Sequence, residues 1–173
     1  MSLVSETPAL PMSRGAALLL AALGPVAVGA ILAVRGGTPA PLIAVPAVVF
    51  GVVGATSPAL YIASAATGAA PSLGAVVRAF CVALAAFGIA LAGLLLPTAF
   101  LALSSVGRDT TVIVATAAVG AAALLGMRRL ARELATDSRE PSIGASAVFV
   151  IWACATLGIA GRLWWDLAGQ VTS

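Results

Sequence analysis

Five long apolar segments without a single charged residue are the feature that most limits how this chain can fold. The 173-residue sequence has nine basic residues, all of them arginines, six acidic residues and no histidine. Every one of these charges lies outside the five segments. A helix that is apolar on all sides must be buried in protein or in lipid. The segments therefore predict membrane spans.

Composition and backbone chemistry select the kind of span. The chain is 61% hydrophobic and 9% charged, whereas an average soluble domain has about 25% charged residues. Hydrocarbon offers no hydrogen-bond partners, so a spanning segment must be a helix or part of a closed barrel. Barrel strands alternate in polarity over about ten residues, but these segments are continuously apolar. We therefore expect an all-α polytopic membrane protein, a bundle of about five transmembrane helices with short loops.

Helix geometry sets the predicted boundaries. At about 1.5 Å per residue, about 20 residues cross a hydrocarbon core of about 30 Å. The predicted spans are 15–34, 42–67, 79–104, 110–127 and 143–161. The second and third are longer than a crossing needs, which predicts a tilt or kink, and the fourth is the shortest. We expect one transmembrane domain over 15–168, between a flexible N-terminal tail at 1–14 and a C-terminal tail at 169–173.

The distribution of arginine predicts the orientation. With five spans, one side carries six arginines and the other three. The larger set is Arg14, Arg78, Arg128, Arg129, Arg132 and Arg139, and the smaller set is Arg35, Arg108 and Arg162. Arginine-rich flanks stay in the cytoplasm, so the N-terminus is expected inside and the C-terminus outside. The absence of lysine indicates a GC-rich bacterial genome, and hence a bacterial cytoplasmic membrane.

Residues at the ends of the spans are candidates for interfacial contacts. Trp164 and Trp165 are predicted interface anchors, since indoles favour the headgroup level; the alternative is packing on a neighbouring helix. Five arginines are candidate contacts for anionic lipid headgroups or a cytoplasmic partner, although they could serve only as topological anchors. They are Arg78, Arg128, Arg129, Arg132 and Arg139. The segment 128–141 is predicted to extend the fourth helix, with Arg129 paired to Glu133.

The second span has the most polar groups. Its candidate polar face or helix-contact residues are Thr56, Ser57, Pro58, Tyr61 and Ser64. Ser57, Tyr61 and Ser64 recur at helical spacing and share a face. Pro58 lacks the N–H that would bond the carbonyl of Gly54. This face could line a polar cavity; alternatively, its hydroxyls bond a neighbouring helix or their own backbone.

Prolines and small residues predict how the helices bend and pack. Pro25, Pro46 and Pro97 are possible kinks, with Gly24-Pro25 the best candidate, and Ser72 is expected to begin a helix that enters the third span. Four pairs of small residues at four-residue spacing are candidate sites of close helix approach. They are Gly29 with Ala33, Gly51 with Ala55, Gly88 with Ala92, and Cys154 with Gly158.

The charge inventory excludes several chemistries. Membrane-embedded proton transfer and zinc-dependent proteolysis need His, Lys, Asp or Glu within a span, and the spans contain none. Cys81 and Cys154, without histidine, make no zinc set and are expected to be buried thiols. We expect no catalytic residue, cofactor, metal or nucleic-acid partner.

Two hypotheses of function remain. The first is a non-enzymatic integral membrane subunit or scaffold that packs against membrane lipid, other membrane protein subunits or a second copy of itself. The second is a channel or carrier for a neutral or apolar solute, with a hydroxyl-lined path on the second span.

The topology makes a first testable prediction. Cysteine introduced by Ser2→Cys should be labelled by impermeant reagents only from the cytoplasmic side, and cysteine introduced by Ser173→Cys only from outside, because an odd number of spans separates the two ends. Accessibility labelling on intact cells checks this. Labelling of both positions from the same side would contradict five spans.

Overall fold

The structure is a computed structural model that describes residues 14–66, 72–104, 107–137 and 143–172. This part of the chain is a bundle of α-helices. The six helices are α1 (Arg14–Gly36), α2 (Ala40–Ala66), α3 (Leu73–Gly93), α4 (Leu95–Leu103), α5 (Arg108–Asp137) and α6 (Ile143–Thr172). The predicted all-α polytopic bundle is confirmed.

Among the described residues, five helical stretches are long and apolar enough to cross a membrane, as predicted. They are Leu18–Gly36, Ala40–Ala66, Leu73–Leu101, Asp109–Thr136 and Ile143–Gln170. The third stretch combines α3 with most of α4. The helices extend past the first charges that limited the predicted spans, so α5 continues to Asp137 and α6 to Thr172, into the segment assigned to a tail. Of the predicted N-terminal tail, only Arg14 lies within the described residues.

The ends of α1 and α3 follow known capping chemistry. After α1, Gly37 adopts a φ of 71°, and its N–H donates to the carbonyl of Ala33 at 3.0 Å. Glycine takes this left-handed conformation without a Cβ penalty. At the start of α3, the hydroxyl of Ser72 accepts a hydrogen bond from the N–H of Ala75 at 3.3 Å, which is the role of an N-cap. The predicted helix start at Ser72 is confirmed.

The third span is broken where a proline predicts a kink. Pro97 cannot donate a hydrogen bond to Gly93, and Gly93 is the last residue of α3. Leu94 caps the C-terminal end of α3. Its carbonyl oxygen accepts a hydrogen bond from the hydroxyl of Thr98 at 2.7 Å. In contrast, α1 and α2 stay helical through Pro25, Pro46 and Pro58. The predicted bend at Gly24-Pro25 is therefore not a break in the helix.

Helix α1 packs closely against both α2 and α3 through glycines. A Cβ added at Gly88 of α3 would overlap the carbonyl of Leu20, and one at Gly24 would lie 2.9 Å from the Cβ of Leu91. Towards α2, a Cβ added at Gly29 would lie 2.5 Å from the carbonyl oxygen of Pro41. Glycine is needed at these positions because backbone or rigid side-chain atoms occupy the space.

Only two of the four predicted small-residue pairs lie at such contacts. Gly29 and Gly88 belong to them, whereas Cβ atoms added at Gly51 or Gly158 would meet open space. The remaining helices complete a ring, in which α5 packs on α3, α6 packs on α2, and α5 and α6 meet less closely. Ala115 and Ala122 of α5 are fully buried in the same core cluster as Phe87 and Leu91.

The close approach of α1 and α3 makes a second prediction. Gly88→Ala should lower the free energy of unfolding by about 1–3 kcal/mol, because the new methyl group forces the two backbones apart. Gly51→Ala, where the Cβ meets open space, is the matched control and should be neutral or stabilising by up to about 1 kcal/mol. Unfolding in mixed detergent micelles measures both changes. Equal effects of the two substitutions would contradict the packing described.

Candidate functional site

A cavity of about 250 Å³ lies between α2, α3, α5 and α6. Its walls are almost entirely apolar. Each helix contributes side chains, among them Val52 of α2, Phe87 of α3, Val119 of α5 and Leu157 of α6. Helix α5 packs on α3 and α6 packs on α2, whereas α5 and α6 meet less closely, and this leaves the space between the four helices.

Trp152 of α6 lines one part of the cavity and connects three helices. Its indole N–H donates to the backbone carbonyl of Thr56 on α2 at 2.7 Å. Its ring meets Phe80 of α3 edge to face, with centroids 5.8 Å apart, and it shares a buried cluster with Leu130 of α5. Buried indoles usually find a hydrogen-bond partner for the N–H group, so this contact fixes α6 against α2.

Trp164 lines the cavity further along α6. Its indole N–H donates to the hydroxyl of Thr116 on α5 at 2.7 Å, and that hydroxyl donates to the carbonyl of Val112 at 2.7 Å. Trp165, by contrast, is 73% exposed. Trp164 therefore makes the neighbouring-helix contact that was the alternative to an interface anchor, and the anchoring role of both indoles stays a prediction.

Thr156 lies between the two tryptophans in the cavity wall. Its hydroxyl makes no hydrogen bond with the described residues. Four other threonines, Thr56, Thr98, Thr111 and Thr116, each donate to the carbonyl four residues earlier. Thr156 is only 3% exposed, and among the described residues its buried hydroxyl oxygen has no hydrogen-bond partner. A buried polar group without a partner costs about 1–3 kcal/mol, so it requires an explanation.

The side of the cavity between α5 and α6 is lined by exposed residues. Three residues that line the cavity there, Thr116 and Gly120 of α5 and Gly161 of α6, are exposed at the bundle surface. Cβ atoms added at Gly120 or Gly161 would meet open space. The cavity is therefore accessible from the side of the bundle, between two helices that pack less closely than the others.

The predicted polar face of α2 lies outside this cavity wall. The hydroxyl of Thr56 donates to the carbonyl of Val52 at 2.8 Å, and that of Ser57 donates to the carbonyl of Gly54 at 3.4 Å, the carbonyl that Pro58 leaves without a donor. Tyr61 and Ser64 are half-buried and Pro58 is exposed. The residues of α2 that line the cavity are instead all valines, between Val48 and Val53.

The candidate headgroup arginines that are described lie at one end of the bundle. Arg78, Arg128, Arg129 and Arg132 are exposed, and Arg139 lies outside the described residues. Ala79 and Leu130, each next to one of these arginines in the chain, share a buried cluster, which places both segments at the same level. The predicted helical extension is confirmed as far as Asp137, and Arg129 pairs with Glu133 at 2.8 Å; positions 138–141 lie outside the described residues.

The expectation of two buried thiols is wrong for Cys154. Cys154 is exposed and Cys81 is half-buried, and both are free. At about 100° per residue, Cys154 lies on nearly the opposite side of α6 from the buried Trp152, two positions earlier. Hydrophobicity alone did not indicate which side of α6 faces the bundle.

Comparison with known proteins gives no family for this chain. No protein-family model, curated protein or solved structure matches it.

Sequence reasoning missed the residues that define the cavity, namely Trp152, Thr156 and Thr116. One signal was present, because Trp152, Thr156 and Trp164 repeat at multiples of four residues and share one face of α6. The partners of these residues on α2 and α5 follow from tertiary packing, which a single sequence does not specify.

The unsatisfied hydroxyl makes a third prediction. Thr98→Val should lower the free energy of unfolding by about 0.5–1.5 kcal/mol, since it removes a hydrogen bond, whereas Thr156→Val should be neutral or stabilising. The two threonines are matched, each being 3% exposed. Unfolding of delipidated protein in detergent measures the difference. A loss at Thr156 as large as that at Thr98 would show that its hydroxyl is bonded within the protein.

Proposed function

We propose that this protein is a non-enzymatic integral membrane protein that binds a neutral, lipid-soluble molecule between α2, α3, α5 and α6. The observation that carries the proposal is the apolar cavity of about 250 Å³. Apolar cavities of about 150 Å³ stay dry and take up benzene, and binding pockets for small molecules begin at about 300 Å³. The cavity fits a small apolar molecule or one segment of a longer one.

An apolar occupant explains the cavity better than water or a void. A buried water needs two to four polar partners, and Thr156 is the lining side chain that offers an unused hydroxyl. The cavity opens to the side of the bundle, so an apolar molecule from the membrane can fill it and supply the dispersion contacts that its lining lacks.

The chemistry of the walls favours a neutral occupant. The lining residues include no Arg, Asp, Glu or other ionisable side chain, so a charged ligand would be desolvated without a counter-charge. The lateral opening between α5 and α6 supports uptake from the surrounding bilayer, where such a molecule dissolves.

A carrier function would use the cavity between the helices, with α5 and α6 separating to admit the solute, rather than the hydroxyl face of α2.

A second candidate function is association with another membrane helix, either a different subunit or a second copy of the chain. The observations that favour it are two exposed small-residue surfaces, Gly51 with Ala55 on α2 and Cys154 with Gly158 on α6. Each could let a partner helix approach closely.

For the location, we propose the cytoplasmic membrane of a bacterium with the N-terminus inside. The arginines of α3 and α5 at one end of the bundle support this orientation, and they are candidate contacts for anionic headgroups.

A fourth prediction tests the cavity as a binding site. Gly161→Leu and Gly120→Leu place side chains at its opening without meeting backbone atoms, so both should reduce the amount of apolar molecule that copurifies with the protein, by about tenfold if about 1.4 kcal/mol of binding is lost. Gly158→Leu, one turn away on the outer surface of α6, is the matched control and should have no effect. Native mass spectrometry after mild solubilisation measures the bound molecule.

Wild-type protein without a bound apolar molecule, or equal amounts in all four proteins, would contradict the proposed function.

A further inference from the structure

We infer that the molecule bound in this cavity carries one neutral oxygen function, a hydroxyl or a carbonyl, which forms a hydrogen bond with the hydroxyl of Thr156. The inference rests on the proposed function and adds the chemical class of the ligand and its orientation. Long-chain alcohols and ketones have this chemistry.

Hydrogen-bonding capacity singles out Thr156. Among the polar side chains that line the cavity, the Trp152 indole donates to Thr56, the Trp164 indole donates to Thr116, and Thr116 itself donates to Val112. The hydroxyl of Thr156 has no partner among the described residues. A threonine hydroxyl can donate one hydrogen bond and accept others, so it suits either an alcohol or a carbonyl.

The surroundings of Thr156 restrict the ligand further. Thr156 is only 3% exposed, and the cavity lining around it includes no ionisable side chain. Phosphate or ammonium headgroups would have to leave water without a counter-charge, so a neutral oxygen is the polar group that fits.

The positions of the two tryptophans give the orientation. Trp152 is one helical turn from Thr156, and with Phe80 and Leu130 it closes that end of the cavity. Trp164 lies two turns from Thr156 in the other direction, about 12 Å along the helix, beside the lateral opening. The oxygen therefore binds at the closed end, and the hydrocarbon part of the ligand extends towards the opening.

A competing explanation is purely local. Rotation of the Thr156 side chain could direct its hydroxyl to the carbonyl of Trp152, four residues earlier, as the other helical threonines do. In that case the hydroxyl has no role in binding, and the cavity does not distinguish an alcohol from an alkane.

Fluorescence quenching separates these cases. The chain has three tryptophans, so Trp165→Phe leaves only the two that line the cavity. This protein is reconstituted in phosphatidylcholine vesicles and titrated with bromodecane, or with bromodecanol or bromodecanone that carries bromine at the end opposite the oxygen. Bromine quenches tryptophan on contact, and binding in the cavity saturates, whereas collisions from bulk lipid increase linearly with the membrane concentration of the probe.

We expect both oxygenated probes to saturate at a membrane concentration about fivefold lower than bromodecane, which corresponds to one net hydrogen bond. Thr156→Val should remove this preference by lowering the affinity for the two oxygenated probes but not for bromodecane. Thr156→Ser should retain the preference. Thr98→Val, at an equally buried threonine outside the cavity, should change neither affinity.

Each contrary result has a distinct meaning. Saturable quenching with equal affinity for all three probes, or a preference that survives Thr156→Val, overturns the role of Thr156 and leaves the proposed function in place. Linear quenching by all three probes overturns the proposed function as well.

Discussion

The close contact of α1 with α2 and α3 is the interaction on which the rest of the bundle depends. Lipid provides no hydrophobic force between helices, so association relies on dispersion contacts and hydrogen bonds at short range. Gly24, Gly29 and Gly88 allow backbone atoms to meet directly, which fixes three helices as one packed unit. Helix α5 then packs closely on α3 around Gly126, and α6 packs on α2. The cavity is left on the side of the bundle where α5 and α6 meet less closely.

Helix α6 packs on α2 but meets α5 less closely, and little of it is buried in the bundle. Of its most apolar stretch of residues only 11% is buried, compared with 33% for α1. Its two inward indoles bond α2 at Thr56 and α5 at Thr116, and interhelical hydrogen bonds of this kind contribute about 0.6–2 kcal/mol each in a membrane. A helix with little packed surface and two localised attachments can separate from a neighbour at modest cost, which suits a site that a molecule enters from the side.

The sequence determined the fold class and the number of spans because both follow from the length and polarity of charge-free segments. The break at Pro97 and the helical extension to Asp137 were also predictable, since missing donors and i, i+4 pairs are local features. The cavity was not. Helix α5 has buried alanines at 115, 118 and 122 and exposed ones at 117 and 121, so composition does not show which face packs inward. Gly51 and Gly88 likewise look alike in sequence, and only the tertiary structure separates the open position from the packed one.

The arginines of α5 have a consequence for the bilayer itself. Between Asp109 and Arg128 the helix offers only about 27 Å of uncharged length, slightly less than an average hydrocarbon core of about 30 Å. Helix α2 is longer and can adjust by tilting, but α5 is fixed against α3 through Gly126, where an added Cβ would lie 3.1 Å from Phe87. The bundle is thus matched to a thin membrane, and in a thicker one the lipid around α5 has to compress or the arginine side chains have to extend along the helix to reach water.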